Sequence, residues 1–167
     1  MHPITELADP AELRRVYGCF PSGVAAICAV GDDGVPTGMA VSSFTSVSLD
    51  PPLVSVCMQN TSTTWPRLRR AVRLGVSVLA EGQDDVALSL AARAGDRFAG
   101  VEWSVTEEGA VLVGGAAAWL DCEVQDEYAA GDHTVVLLRV RSLSGDPEQA
   151  PLVFHGSRFR VLTGPVG

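Results

Sequence analysis

The apolar run from Gly23 to Val30 meets four turn-forming residues, Gly31-Asp32-Asp33-Gly34, and the chain becomes apolar again from Val35. Such a pattern predicts a β-hairpin: Gly and Asp enter the conformations a tight turn demands, and the first run reads as a buried strand. The same punctuation recurs along the chain. After Leu49-Asp50-Pro51-Pro52, whose prolines cannot donate to a ladder, Leu53 to Met58 makes another strand. Leu74 to Leu79, Val111 to Val124 with an interruption at Gly114-Gly115, Thr134 to Arg141 and Phe159 to Leu162 have strand-like composition.

Three helices separate or precede these runs. Asp9 is an N-cap candidate, with Pro10 at the first helical position and Glu12 at the third, so a short helix runs through Arg14, Arg15 and Val16. A second starts at Ser62-Thr63-Thr64 and continues through Leu68 and Ala71; a third covers about Gln83 to Arg93. Six or more antiparallel strands with few helices predict a mainly β chain, a barrel with peripheral helices. No repeat, low-complexity tract or long linker divides residues 1–167, which are read as a single domain.

Charge and composition exclude several functions. Twenty acidic against twelve basic side chains give a net charge of −8, which repels polyphosphate backbones and argues against a nucleic-acid partner. The apolar runs fall short of the ~20 residues of a membrane span, so no membrane anchor is expected. Met1 to Glu6 carries neither a basic nor an apolar export region, which predicts a cytoplasmic address. Cysteines 19, 28, 57 and 122 form no C-x-x-C pair and are read as reduced packing residues. Histidines 2, 133 and 155 supply no ligand cluster, so no metal is expected. The chain also lacks G-x-G-x-x-G, a P-loop and a G-x-S-x-G elbow.

Three segments could carry chemistry. Pro36 to Ser48 combines apolar residues, hydroxyls and Gly38, and a flat heterocycle could lie along it, bonded by backbone groups and by Ser42 and Ser43. An edge strand with hydroxyls facing water has the same composition. Asn60 to Arg70 joins a hydroxyl cluster to a helix start and to Arg67, Arg69 and Arg70, which suits a phosphate; a merely capped, solvated helix is the alternative. Ala130-Gly131-Asp132-His133-Thr134 places an imidazole at a turn, where it could touch a reacting ring or simply face water.

The order Ser42-Ser43-Phe44, Ser46 to Val54, Ser62-x-Thr64, Gly75 to Leu79, Asp96-Arg97-Phe98, Asp121 to Val124, Gly131-Asp132-His133 and Pro151 to Phe154 resembles the flavin reductase-like family, with its FMN-binding split barrel. The resemblance spans about residues 11 to 162. It implies that Pro36, Thr37, Gly38, Met39 and Ala40, with Ser42 and Ser43, contact the flavin ring and ribityl chain. Cys57, Met58 and Gln59 continue that wall, Ser62, Thr63 and Thr64 hold phosphate, and Ser89 and Leu90 occupy a further cofactor position. Ala40 stands where many members have threonine, Ser77 where asparagine is frequent, and Ser89 where many carry a basic residue.

The resemblance further implies hydride transfer from NADH, or NADPH, at nicotinamide C4 to N5 of FAD or FMN, with His133 placed beside the nicotinamide. It also implies a homodimer that supplies reduced flavin to a partner flavin-dependent monooxygenase. Two rivals stay open: an FMN-binding electron carrier that ignores NADH, and a flavin oxidase of the same barrel class.

Overall fold

The computed structural model describes residues 9–162 and 164, so the readings of Met1 to Glu6 and of His2 lie outside the described residues. Helix α1 (Pro10–Tyr17) begins as its sequence predicts: Asp9 Oδ1 accepts the Glu12 N–H at 2.8 Å. The chain continues through β1 (Ser22–Gly23), β2 (Ala25–Val30), β3 (Pro36–Val41), β4 (Thr45–Leu49) and β5 (Pro52–Gln59). Helix α2 (Trp65–Leu68) precedes β6 (Leu74–Val78), and α3 (Asp84–Ala91) precedes β7 (Trp103–Val105) and β8 (Val111–Val113). The last strands are β9 (Ala118–Ala130), β10 (His133–Gly145), β11 (Val153–His155) and β12 (Arg158–Arg160).

Seven strands form one antiparallel sheet in the order β3-β2-β6-β9-β10-β5-β4. Laid flat, its outer strands would stand roughly 29 Å apart, at ~4.8 Å per neighbour. Only Ser42, Ser43 and Phe44 join β3 to β4, a link that reaches at most about 14 Å. The sheet therefore rolls until its outer strands meet at that end. They share no ladder, which leaves the barrel split along one side. The predicted mainly β architecture with peripheral helices is the one observed.

Burial explains the unbroken apolar run of β2. Ala25, Ile27 and Ala29 face the interior with Val56, Leu74, Val136 and Leu138. Ala26 and Cys28 face a second apolar layer with Leu79, Leu90, Phe98 and Val111. A strand covered on both faces loses its alternation. The second layer crosses β6 closely: a Cβ at Gly75 would run into the Val111 carbonyl, and buried Ser77 accepts the Val113 N–H at 3.0 Å. Ser77 thus fastens β8 to the barrel.

The structure corrects several boundaries. The second helix ends at Leu68, after one turn, instead of reaching Ala71. The run from Val111 to Val124 divides into β8, which pairs with β7, and β9, which pairs with β6 and β10. Strands β9 and β10 extend to Ala130 and Gly145, through polar and mostly exposed residues whose backbones pair although their side chains carry no strand signal. The short strands β7 and β11 were not predicted. All four thiols are free; Cys28 and Cys122 are buried, Cys57 is half-buried, and Cys19 is exposed rather than packed. No helix among the described residues is long and apolar enough to cross a membrane.

Candidate functional site

Strand β3 has one strand neighbour, so a row of its backbone groups faces outward instead of into the sheet. Two cavities adjoin it. The first, about 550 Å³, is lined by Met39, Ala40, Gln59, Leu90 and the loop from Thr61 to Thr64. The second, about 320 Å³, is lined by Pro36, Thr37, Gly38 and Arg67. Both are bordered by Thr63, Thr64, Arg93 and Arg97.

Arg97 marks the join. Its Nη1 donates to the Gly38 carbonyl at 3.0 Å and to Thr64 Oγ1 at 2.8 Å. Ser89 Oγ donates to the Arg97 carbonyl at 2.8 Å, so this hydroxyl holds the turn that presents the guanidinium. Neither Arg93 nor Arg97 has an ion-pair partner among the described residues, whereas Arg15, Arg67, Arg69, Arg70, Arg73 and Arg141 each have one. Sequence reasoning passed over both arginines as ligand contacts. Their place at the end of a predicted helix and in the Ala94-Gly95-Asp96-Arg97 turn that follows it was the available signal.

The phosphate cradle predicted at Asn60 to Arg70 takes a different form. Ser62 Oγ accepts from the N–H groups of Thr64, at 3.3 Å, and Trp65, at 3.1 Å, and so caps the single turn of α2. Arg69 is bound to Glu127 at 2.6 Å and Arg70 to Asp32 at 2.8 Å; of the predicted cluster, Arg67 lines a cavity and is paired loosely with Asp33 at 3.8 Å. Positive charge at the cleft comes mainly from the opposite wall, at Arg93 and Arg97.

Gly38 is small for a reason other than ligand approach. A Cβ there would lie 2.5 Å from Cys28 Sγ and 3.1 Å from Phe98 Cζ, inside the second apolar layer. Ser43 links the β3–β4 connection to β5: Cys57 N–H donates to its Oγ at 2.9 Å, and the hydroxyl lies 3.3 Å from the Cys57 carbonyl. Ser42 lines a separate cavity of about 330 Å³ with Tyr17, Phe20, Phe154 and His155. Met58 turns its side chain into the core, while Gln59 borders the first cavity. His133 begins β10 opposite Gln59, with Nδ1 2.7 Å from Asp132 Oδ1. That hydrogen bond holds the Asp132 carboxyl below its ordinary range.

Residues 17–163 match the family described as the flavin reductase like domain. The chain belongs to this family. Within it, the chain is 40% identical over 147 residues to a flavin reductase of Pseudomonas putida, covering 88% of this chain and 86% of that one. It is 39% identical over 154 residues to the reductase subunit HsaB of a flavin-dependent monooxygenase from Rhodococcus jostii, covering 92% and 78%. Among solved structures, an NADH:FAD oxidoreductase of Streptomyces globisporus in complex with NAD and FAD fragments superimposes with a TM-score of 0.87 at 40% identity, over 95% of this chain and 98% of that one.

Proposed function

We propose that this chain is an NADH-dependent flavin reductase that binds FAD or FMN along β3 and passes reduced flavin to a partner monooxygenase. One observation carries the reading: an open strand edge ends at two arginines without carboxylate partners among the described residues, in a chain of net charge −8. A flavin has matching chemistry, a flat ring with donors and acceptors at one edge and phosphate at the far end of a flexible chain. When bound, the flavin supplies the hydride acceptor and the reduced nicotinamide the hydride.

The chain's own residues bind and orient. Pro36, Gly38 and Ala40 turn backbone groups away from β2 and serve the ring edge, while Thr37 and Met39, whose backbone groups face β2, border the cavities between them. Gln59, following Cys57 and Met58, continues that wall. Ser43 holds the wall in place, Leu90 forms an apolar floor, and Thr63 and Thr64 with Ser62 stand at the phosphate end. Ser42 opens into its own cavity beside Phe20 and Phe154, apart from the two cavities along β3. His133, across from Gln59, positions the nicotinamide.

The working unit is a homodimer. An apolar groove of about 580 Å³, lined by Phe44, Trp119, Leu143 and Pro147, supports that assembly, and Leu143 is 71% exposed in the single chain. Four free thiols suit a reducing compartment, the cytoplasm.

The test is anaerobic mixing of the purified protein with NADH and FAD or FMN, following loss of the flavin's visible absorption. Bleaching faster than the protein-free control supports the reductase. Tight yellow flavin that ignores NADH and NADPH would make the chain an electron carrier, and oxygen-dependent turnover of a small amine or a phosphorylated vitamin would make it an oxidase.

A further inference from the structure

We propose that Asn60 is the positioning residue of His133: its amide group grips the turn that carries the imidazole and fixes that ring relative to the cleft wall at Gln59. This rests on the reading of His133 as a nicotinamide contact, and it adds the residue through which the ring's place is set. Strand β5 ends at Gln59, opposite His133, and Asn60 is the next residue. Its N–H donates to the Asp132 carbonyl at 2.9 Å. Its side chain bonds on both sides of His133: Nδ2 donates to the Gly131 carbonyl at 3.2 Å, and Oδ1 accepts from Thr134 Oγ1 at 2.9 Å. A carboxamide offers an acceptor at one end and donors at the other, and here both ends are engaged. One residue thus holds Gly131, Asp132 and Thr134, the three that flank the imidazole. Asn60 opens the segment read from the sequence as a phosphate cradle, yet both ends of its amide turn to the β9–β10 connection.

Stability of the fold does not call for this clamp. Strands β9 and β10 pair from Ala118 to Ala130 without it, and Asn60 is exposed, where hydrogen bonds exchange with water and add little. What the three bonds restrict is local, the sway of the hairpin tip against β5. Asp132 completes the arrangement. Its carboxyl, held below the ordinary range, only accepts, so His133 Nδ1 carries the proton shared with it and the ring is oriented from that side. Asp132 is itself held by the Asn60 N–H. On the other side of Asn60, Thr61 to Thr64 border the first cavity, and the Ser62 N–H returns to the Gln59 carbonyl at 2.9 Å. Asn60 therefore stands where the cleft loop and the His133 turn are joined.

Two measurements on the intact chain test this. Imidazole nitrogen NMR of the free protein, with His133 assigned by its loss in His133→Ala, reads the ring without any nucleotide. Asn60→Ala should move the His133 ring nitrogens from their wild-type positions, and Thr134→Val, which removes only the donor to Asn60 Oδ1, should move them less. Steady-state kinetics give the second reading. Asn60→Ala should raise KM for NADH roughly threefold, the value of a weak exposed hydrogen bond, with kcat and FAD affinity unchanged, and should add nothing in the His133→Ala background. Unmoved ring nitrogens overturn the proposal, as do effects on KM that add in the double variant. So does a wild-type KM in Asn60→Ala beside a raised one in His133→Ala. A matching loss of FAD affinity overturns it too, by making Asn60 a prop for the cleft loop. If the ring nitrogens move but His133→Ala leaves KM for NADH unchanged, the clamp stands and the nicotinamide reading falls.

Discussion

His133 stands opposite Gln59 where β10 meets β5, so its imidazole rises beside a residue that lines the first cavity. Asp132 occupies Nδ1, which fixes the ring's orientation. A residue that positions the nicotinamide affects its binding more than the flavin's. His133→Ala should therefore raise KM for NADH about tenfold, with FAD affinity unchanged. Steady-state kinetics beside FAD dialysis check this; a parallel loss of FAD affinity would assign the imidazole to the flavin instead.

Gly38 and Cys28 are coupled by shape. Gly38→Ala pushes a methyl group toward Cys28 Sγ and Phe98, and should destabilise the protein by about 1–3 kcal/mol. Removing the sulfur in the double variant with Cys28→Ala should restore part of that loss, giving a favourable coupling in a double-mutant cycle measured by urea unfolding. Additive losses would mean that the clash lies with the Ile27 carbonyl, also 3.1 Å from the added carbon.

Ser43 does for Cys57 what another residue of β4 would do. Strand β4 pairs with β5 only as far as Thr45 opposite Ser55, and the hydroxyl takes up the Cys57 N–H beyond that point. Ser43→Ala leaves this donor unpaired and should cost about 1–3 kcal/mol, read as a lower urea midpoint. Ser43→Thr keeps the oxygen and should retain most of the stability.

Burial pushes the thiols of Cys28 and Cys122 up to about 12, from an ordinary value of 9.0. The folded chain keeps these protons after the unfolded chain has lost them. Stability is thus full below about pH 9 and falls toward pH 12, by up to about 1.4 kcal/mol per pH unit for each thiol. Thermal unfolding between about pH 8 and pH 11 should show this decline, and a smaller decline in Cys28→Ala. The same burial predicts that iodoacetamide at neutral pH labels exposed Cys19 and spares both buried thiols.

The first hairpin was legible because its signal is local. Gly34 adopts φ +76°, the Gly31 N–H reaches the Val35 carbonyl at 2.8 Å, and Asp33 Oδ1 accepts from Val35, all within five residues. Asp9 and Pro10 announced α1 in the same way. Arg97 was not legible as a cleft residue, because its meaning comes from Gly38 and Thr64, 59 and 33 positions away. Ser42 and Ser43 show the limit most directly: adjacent and chemically identical, they part because the rolling sheet turns one toward Phe20 and Phe154 and the other onto Cys57. Composition treats them alike. The arginines of Asn60 to Arg70 misled for a related reason, since their partners Asp32, Asp33 and Glu127 lie on the β2–β3 turn and on β9.

Because β3 and β4 share no ladder, backbone opening need not be uniform around the barrel. Strands β6, β9 and β10 have a neighbour on each side, so freeing their amides requires unfolding much of the sheet. Amides on the outer sides of β3 and β4 are released by local motion about Ser42, Ser43 and Phe44. Hydrogen exchange should then be slow in the middle of the sheet and fast along the split, the side on which the cleft lies. Fluctuations that widen or narrow the cleft can thus proceed while the centre of the sheet stays folded.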